Sequence, residues 1–382
     1  MREDILTTEL QKVSSESQRR ELYSMDWLDD KDKIIEGAFA ECYLKMHPMI
    51  CIHGILFTID GIVSDESGIK NDIYSMVRPY VTSGLARKVE QLLQTIKLEA
   101  YSEPLPLQTD RIRVANGTLF LNGEFSEQKD FCLNRLPVIY DLDVEKPARW
   151  LKFMEELLNP DDILTLQEYM GYMLLPTTKA QKMMLIIGKG GEGKSRIGLV
   201  LRELFGNNMY SCSLQKIEVD KFARANLEYM LITVDDDMKL EALPQTNHIK
   251  SIVTLEDQID LERKGQQSFQ GVVYARLIAF GNGGLHALYD KTDGFYRRQL
   301  ILTTKDKVDG REDDPYLIDK LRKERDGIFL WALEGLQRLV SNNYVFTESV
   351  DAKQNLVDAQ EEGNNILAFM KSEGCLLYTS DA

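Results

Sequence analysis

Little in this chain would carry it to a membrane, through a secretory route or onto nucleic acid at large. No apolar run approaches 18 residues, which excludes a helix long enough to cross a bilayer. The opening Met1-Arg2-Glu3-Asp4 is charged and lacks an apolar stretch of the kind a secretory leader needs. Basic residues are the minority, 46 Lys and Arg against 61 Asp and Glu, for a net charge of −15. That balance argues against non-specific wrapping of nucleic acid but leaves room for a local basic channel. Cysteines number five, at positions 42, 51, 132, 212 and 375, scattered and odd. This is the usage of reduced cytosolic thiols rather than of a disulfide framework. Cys42, His47, Cys51 and His53 fall close together, but Ile50–Thr58 alternates like a strand, with Cys51 and His53 on one face among apolar neighbours. Buried structural residues are expected there, and no metal site. Internal repeats and low-complexity segments are absent too. What remains, 43% hydrophobic and 28% charged residues over 382 positions, is enough for two or three domains with sizeable cores.

Against that background one run stands out. Residues 188–195 read Gly-Lys-Gly-Gly-Glu-Gly-Lys-Ser and follow five apolar residues, Met183 to Ile187. A short buried strand running into GxxxxGKS is the pattern of a phosphate-cradling P-loop. Gly188, Gly190, Gly191 and Gly193, with Lys189 and Glu192 between them, let the backbone fold back so that its N–H groups face a polyphosphate. Lys194 then reaches the β- and γ-phosphates, and Ser195 supplies a hydroxyl to Mg²⁺. From Arg196 to Phe205 apolar residues recur at helical spacing (Ile197, Leu201, Leu204), so a helix N-terminus also points at the phosphates. Strand, loop and helix in that order predict a nucleoside triphosphate site, with ATP and Mg²⁺ its ligands.

The second element lies about 40 residues on, the distance of roughly one further strand–helix unit. Met230–Val234 is a buried strand, and it ends in Asp235-Asp236-Asp237. This is a Walker B arrangement, in which one carboxylate holds Mg²⁺ and the next orients or deprotonates the attacking water. Asp235 and Asp236 are assigned these roles, with Asp237 in reserve for a one-residue slip. A third buried strand, Val272–Phe280, ends at Gly281-Asn282. Asn282 is then the sensor at the tip of a strand lying between the other two, where an amide holds the lytic water. Beyond it, Arg297 and Arg298 precede the apolar Leu300-Ile301-Leu302, and one of them is a candidate arginine finger donated to a neighbouring subunit. Between acids and sensor, residues 248–267 alternate as two short strands around a polar tip. That places Lys264, before Gly265, on a hairpin able to touch a DNA phosphate.

Around this core the chain reads as α/β. It is expected to be a P-loop NTPase (AAA+-like) parallel-sheet domain, preceded by a mixed α+β N-terminal domain and followed by a helical segment. Helices are expected over 8–22, 34–46, 84–98, 147–175 and 317–340. A hairpin is expected over 50–64 turning at Asp60-Gly61, a linker near 102–106, and strands over 111–121 with a turn at Asn122-Gly123. The expected partition is an N-terminal domain over 1–145, a helical collar over 146–178, the ATPase core over 179–304 and a helical segment over 305–374. Residues 375–382 look like a translated sequencing-adapter end rather than a natural terminus and are set aside, as a tag would be.

With these elements in order, the chain resembles the superfamily 3 helicases, and within them the phage/plasmid and poxvirus-type primase–helicases. The likeness rests also on Val114-Ala-Asn-Gly-Thr-Leu119, Tyr140-Asp141, Trp150 and Leu166–Tyr172 upstream, and on Asp293–Arg298 and Gly327–Gly335 downstream. It spans roughly residues 50–370. The resemblance implies that Lys250 lies in the motif preceding the hairpin, that Lys264 is the DNA-contacting lysine, and that Asn282 is sensor 1. It makes Arg298, ahead of Arg297, the trans arginine. It further implies a hexameric ring around one DNA strand, in the cytoplasm of the bacterial host of a phage or prophage, with no membrane partner. Two departures stand out: Leu255-Glu256-Asp257 replaces a Gly-Gly-Asp, and no proline follows Asn282 within Gly283-Gly284-Leu285. No primase catalytic motif is visible, so priming falls to a separate chain or an upstream part, and no C-terminal winged helix is seen. The competing readings are a P-loop kinase acting on a small molecule and a replication protein that binds DNA without unwinding it.

Overall fold

The structure, a computed structural model, describes residues 26–239, 243, 245–254, 258–265, 267–287, 293–307 and 314–363. The helix expected over 8–22, the Leu255–Asp257 departure and the tail 375–382 lie outside the described residues. Two compact units divide after Leu105, within the expected linker.

The first unit carries α1 (Glu36–Met46), a three-stranded antiparallel meander of β1 (Met49–Ile52), β2 (Ile55–Thr58) and β3 (Gly61–Ile62), then α2 (Ser67–Val77) and α3 (Leu85–Glu99). On α3, Val89, Leu92, Leu93 and Ile96 recur at helical spacing and are buried, in one core with Phe39, Ala40 and Tyr43 of α1. The expected strand over 50–58 is broken. His53 (φ 50°) and Gly54 (φ 79°) both adopt left-handed backbone and form a tight turn between β1 and β2. His53 is therefore exposed at a turn, whereas Cys51 is buried in β1. His47 instead pairs with Asp72, at 3.3 Å. Among the described residues no group of three or more possible ligands could hold a metal.

The second unit opens with a small antiparallel sheet of β4 (Arg111–Val114), β5 (Gly117–Phe120) and β6 (Phe125–Ser126), then α4 (Ala148–Leu157) and α5 (Pro160–Tyr172). Its centre is a five-stranded parallel sheet. In chain order the elements are β7 (Met183–Ile187), α6 (Ser195–Phe205), β8 (Met209–Ser211), α7 (Leu214–Val219), α8 (Lys221–Ala225), β9 (Ile232–Met238) and α9 (Asn247–Thr254). The hairpin β10 (Ile259–Leu261) and β11 (Phe269–Gly271) follows, then β12 (Arg276–Gly281), α10 (Asp293–Tyr296) and β13 (Gln299–Thr303). The helices α11 (Leu317–Lys323), α12 (Arg325–Ser341) and α13 (Val350–Gly363) complete the unit. The sheet order is β13-β7-β12-β9-β8.

Both faces of this sheet are covered, so its strands read as nearly unbroken apolar runs. Alternate residues feed two cores. Met184, Ile186, Ile278 and Phe280 face α6, α4, α5 and α12, while Met183, Leu185, Leu277 and Ala279 face α7, α9 and α10. On the first face α5 and α12 pack almost backbone to backbone. A Cβ on Gly171 would lie 2.4 Å from the Ala332 carbonyl oxygen, and one on Gly335 would lie 2.2 Å from that of Gln167.

The expected domain boundary at 145 falls inside this unit, because Ile112, Val114, Leu119, Leu136 and Val138 share a core with Trp150, Ile186 and Phe329. The expected collar, 146–178, and the helices after Lys305 enter the same core. Residues 248–254, the first part of the segment expected as two strands, are helical, within α9 (Asn247–Thr254). Their buried Ile249, Ile252 and Val253 stand at i, i+3 and i+4, a helix face. No described helix is long and apolar enough to cross a membrane.

Candidate active site

The site lies at the carboxyl edge of the parallel sheet. Register brings Ile187, Gly281 and Thr303 to one level, and beyond it the chain leaves β7 into the Gly188–Ser195 loop. Gly188 N–H donates to the Gly281 carbonyl at 3.1 Å, and Thr304 N–H to the Ile187 carbonyl at 2.8 Å. Only glycine fits at 188, where a Cβ would stand 2.0 Å from Thr304 Oγ1. Gly190, Gly191 and Gly193 all take positive φ (108°, 83° and 111°), the backbone that folds the loop over its own amides before α6 begins at Ser195. Lys194 is buried, its Nζ 2.9 Å from Glu192 Oε2, and Glu192 Oε1 accepts the Gly190 N–H at 2.7 Å. Burial pushes the Glu192 carboxyl up, but the Lys194 ammonium and the backbone N–H groups outweigh it and hold the group below its usual range. Lys189 points elsewhere, to Asp306 at the exposed surface.

The three acids divide. Ala279 pairs with Asp235, yet Gly281 pairs with Met238, so β9 carries one extra residue opposite β12. Such a bulge re-aims side chains locally. Asp235 turns away from the loop and is buried, its Oδ2 accepting the Leu214 N–H at the start of α7 (2.9 Å). Asp236 faces α6, where a Cβ on Gly198 would meet its Oδ1 at 2.6 Å. Burial raises both carboxyls above their usual range. For Asp235 the Leu214 N–H opposes this, and for Asp236 the Arg202 charge does.

A cleft of about 740 Å³ opens here, lined by Gly190 to Arg196, Asp236, Asp237, Phe280, Gly281 and Asn282. It brings together Lys194, Ser195, Asp236 and Asn282 from the expected set and adds the reserve, Asp237. It leaves out Asp235. The strand that ends just before Asn282, β12, lies between the loop strand β7 and the acid strand β9. Arg297 and Arg298 do not line the cleft. Arg298 is half-buried and donates from Nη1 to its own Gly294 carbonyl, whereas Arg297 is exposed. Lys264 stands exposed at the tip of the β10–β11 hairpin beside Gly265 (φ 77°), while Lys250 sits half-buried on α9. The preceding hairpin residue, Arg263, pairs with the buried Glu228 and lies 4.7 Å over the Phe269 ring, tying the hairpin to the turn before β9.

Several residues that line the cleft carry no motif. Arg149, Lys152, Phe153 and Glu156 come from α4, and Asp314, Leu317 and Lys320 come from the approach to α11 and its first turns. Arg149, Lys152 and Glu156 fall at i, i+3 and i+7, which in sequence is only the polar side of an amphipathic helix. Nothing in the pattern singles them out.

Comparison with known proteins bears on the fold. The pattern of a family of unknown function (DUF5906) matches residues 186–298, from the end of β7 to the paired arginines. The apo structure of the NrS-1 C terminal region (305–718) superposes with a TM-score of 0.57 at 12% identity, covering 90% of this chain and 78% of that one. The A form apo structure of the same region gives 0.55 at 11% identity, over 87% and 76% of the two chains. At this identity the likeness is one of fold.

Proposed function

We propose that this chain is an ATP-driven DNA helicase for the replication of a phage or other mobile element, working as a ring. The observation that carries the reading is the convergence of Lys194, Ser195, Asp236, Asp237 and Asn282 on one cleft at the carboxyl edge of a parallel sheet. That edge is where ligands bind in open α/β sheets. The donor set fits a Mg²⁺-bound triphosphate, since the cradle already holds an anion, the Glu192 carboxylate, on a loop N–H and an ammonium.

In this reading Lys194 and the loop amides bind and orient the β- and γ-phosphates. Ser195 and Asp236 hold Mg²⁺, which when bound neutralises charge developing on the phosphates. Asp237 and Asn282 orient the attacking water. Asp235 gives up the metal-binding role expected of it and instead holds the start of α7. Arg297, the exposed member of its pair, is the better-presented finger for a neighbouring subunit's γ-phosphate. Lys264 on its hairpin contacts single-stranded DNA in the channel of a hexamer, and Lys250, on the helix preceding it, supports that contact.

Strand displacement from a forked duplex, measured with the mass of the assembly in solution, tests the proposal. ATP-dependent displacement by an assembly of several subunits is expected. Phosphate transfer to a small molecule by a monomer, with no displacement, would instead establish the kinase reading.

A further inference from the structure

Glu192 is buried inside the loop read above as an anion cradle. Its side chain is 4% exposed and that of Lys194 8%. One carboxylate oxygen takes the Gly190 N–H at 2.7 Å, and the other takes the Lys194 ammonium at 2.9 Å. A loop amide and the loop lysine are the donors a phosphate group would use. Gly193, between the two side chains, has a φ of 111°.

We infer that Glu192 sets the affinity threshold of this site, an internal competitor that occupies the phosphate cradle until an incoming polyphosphate displaces it. The inference rests on the reading of this cleft as a nucleotide site. Displacing the carboxylate breaks one charge-assisted bond to Lys194 and one to Gly190 N–H, and every anion entering the cradle bears that same cost. A ligand that engages the loop through a single phosphate falls below the threshold for occupancy. A polyphosphate, with several oxygens to share among Lys194 and the loop amides, stays above it. The threshold thus keeps inorganic phosphate and nucleoside monophosphates from occupying the site.

A purely structural staple and a competitor predict opposite signs. Removing a staple loosens the loop and weakens binding, whereas removing a competitor tightens it. Calorimetric titration of inorganic phosphate and of ADP with Mg²⁺ into the full chain separates the two, using E192Q and E192A. E192Q discards the charge and keeps an acceptor oxygen for only one of the two donors, the other oxygen becoming an NH2 group that cannot accept. Both variants are expected to bind both ligands more tightly, by roughly tenfold, the worth of one hydrogen bond to a charged group. Unchanged or weakened binding in both, with K194A still abolishing ADP binding, overturns the inference and leaves the nucleotide reading intact. Binding that is indifferent to K194A, or absent from every variant, overturns both.

Discussion

Gly198→Ala offers a test in which stability and activity part. Gly198 lies inside α6, three residues past Ser195, where exchange of glycine for alanine ordinarily stabilises a helix by about 0.5–1 kcal/mol. The new methyl would stand 2.6 Å from Asp236 Oδ1 and 3.3 Å from Phe280 Cε2. The phenyl contact yields by a few tenths of an ångström. The carboxylate oxygen has to retreat by about 0.8 Å to reach ordinary contact at 3.4 Å. Asp236 is open to the cleft, so it can rotate at a cost of about 0.5–1.5 kcal/mol. Helix gain and rotamer cost nearly cancel, and the urea midpoint should stay close to that of the parent. Catalysis has no such compensation, because a displacement of about 1 Å in a positioned group costs on the order of 100-fold in rate. Mg²⁺-dependent ATP hydrolysis by G198A is therefore expected to fall about a hundredfold, with a higher Mg²⁺ requirement. Parental turnover in G198A would refute the placement of Asp236 at the metal.

Four further outcomes follow from the same geometry. Gly171→Ala meets backbone instead of a mobile side chain, 2.4 Å from both Ala332 O and Leu336 N, and should destabilise the unit by roughly 1–3 kcal/mol in urea unfolding. Asp236→Asn should abolish hydrolysis, whereas Asp235→Asn should retain it. Burial, first among its causes, raises the folded Asp235 carboxyl above its unfolded value, so the folded state is favoured while this group is protonated. That favour is lost as pH rises through the folded value, and D235N should gain stability over the parent at pH 7, a gain that vanishes as pH falls below the usual Asp range. Lys264→Ala should weaken single-stranded DNA binding and make its dependence on log salt shallower by about 0.7 per lysine lost.

The loop was legible in sequence because three independent patterns coincide there: an apolar strand, glycines at positions needing positive φ, and a helix face beginning at Ile197. The position of Asn282 was legible for the same reason, just past an apolar run whose neighbours, β7 and β9, had already been placed. The register of the acids was not. Alternation along Ile232–Met238 sends Asp235 and Asp236 to opposite faces, and the bulge that then admits Asp237 to the cleft depends on β12, a partner far along the chain. The helix at 247–254 was misread because β-branched Ile249, Ile252 and Val253 favour strand intrinsically, while their spacing of three and four favours helix. Packing against the sheet decided for spacing. Likewise β4–β6 reads as the end of the N-terminal domain, and only its apolar face, buried with Trp150 and Phe329, assigns it to the second unit. The Glu192–Lys194 pair could not be read at all, since a glutamate two residues from a lysine is ordinary until both are buried.

In the proposed function the Gly188–Ser195 cleft hydrolyses ATP and DNA drives the turnover. Steady-state ATP hydrolysis with and without single-stranded DNA, measured on the parent and on K194A, addresses it most directly. Turnover is expected to rise with DNA and to drop at least about a hundredfold in K194A, the loss typical when one preorganised donor to developing charge is removed. Turnover indifferent to DNA, or a K194A variant as active as its parent, would contradict it.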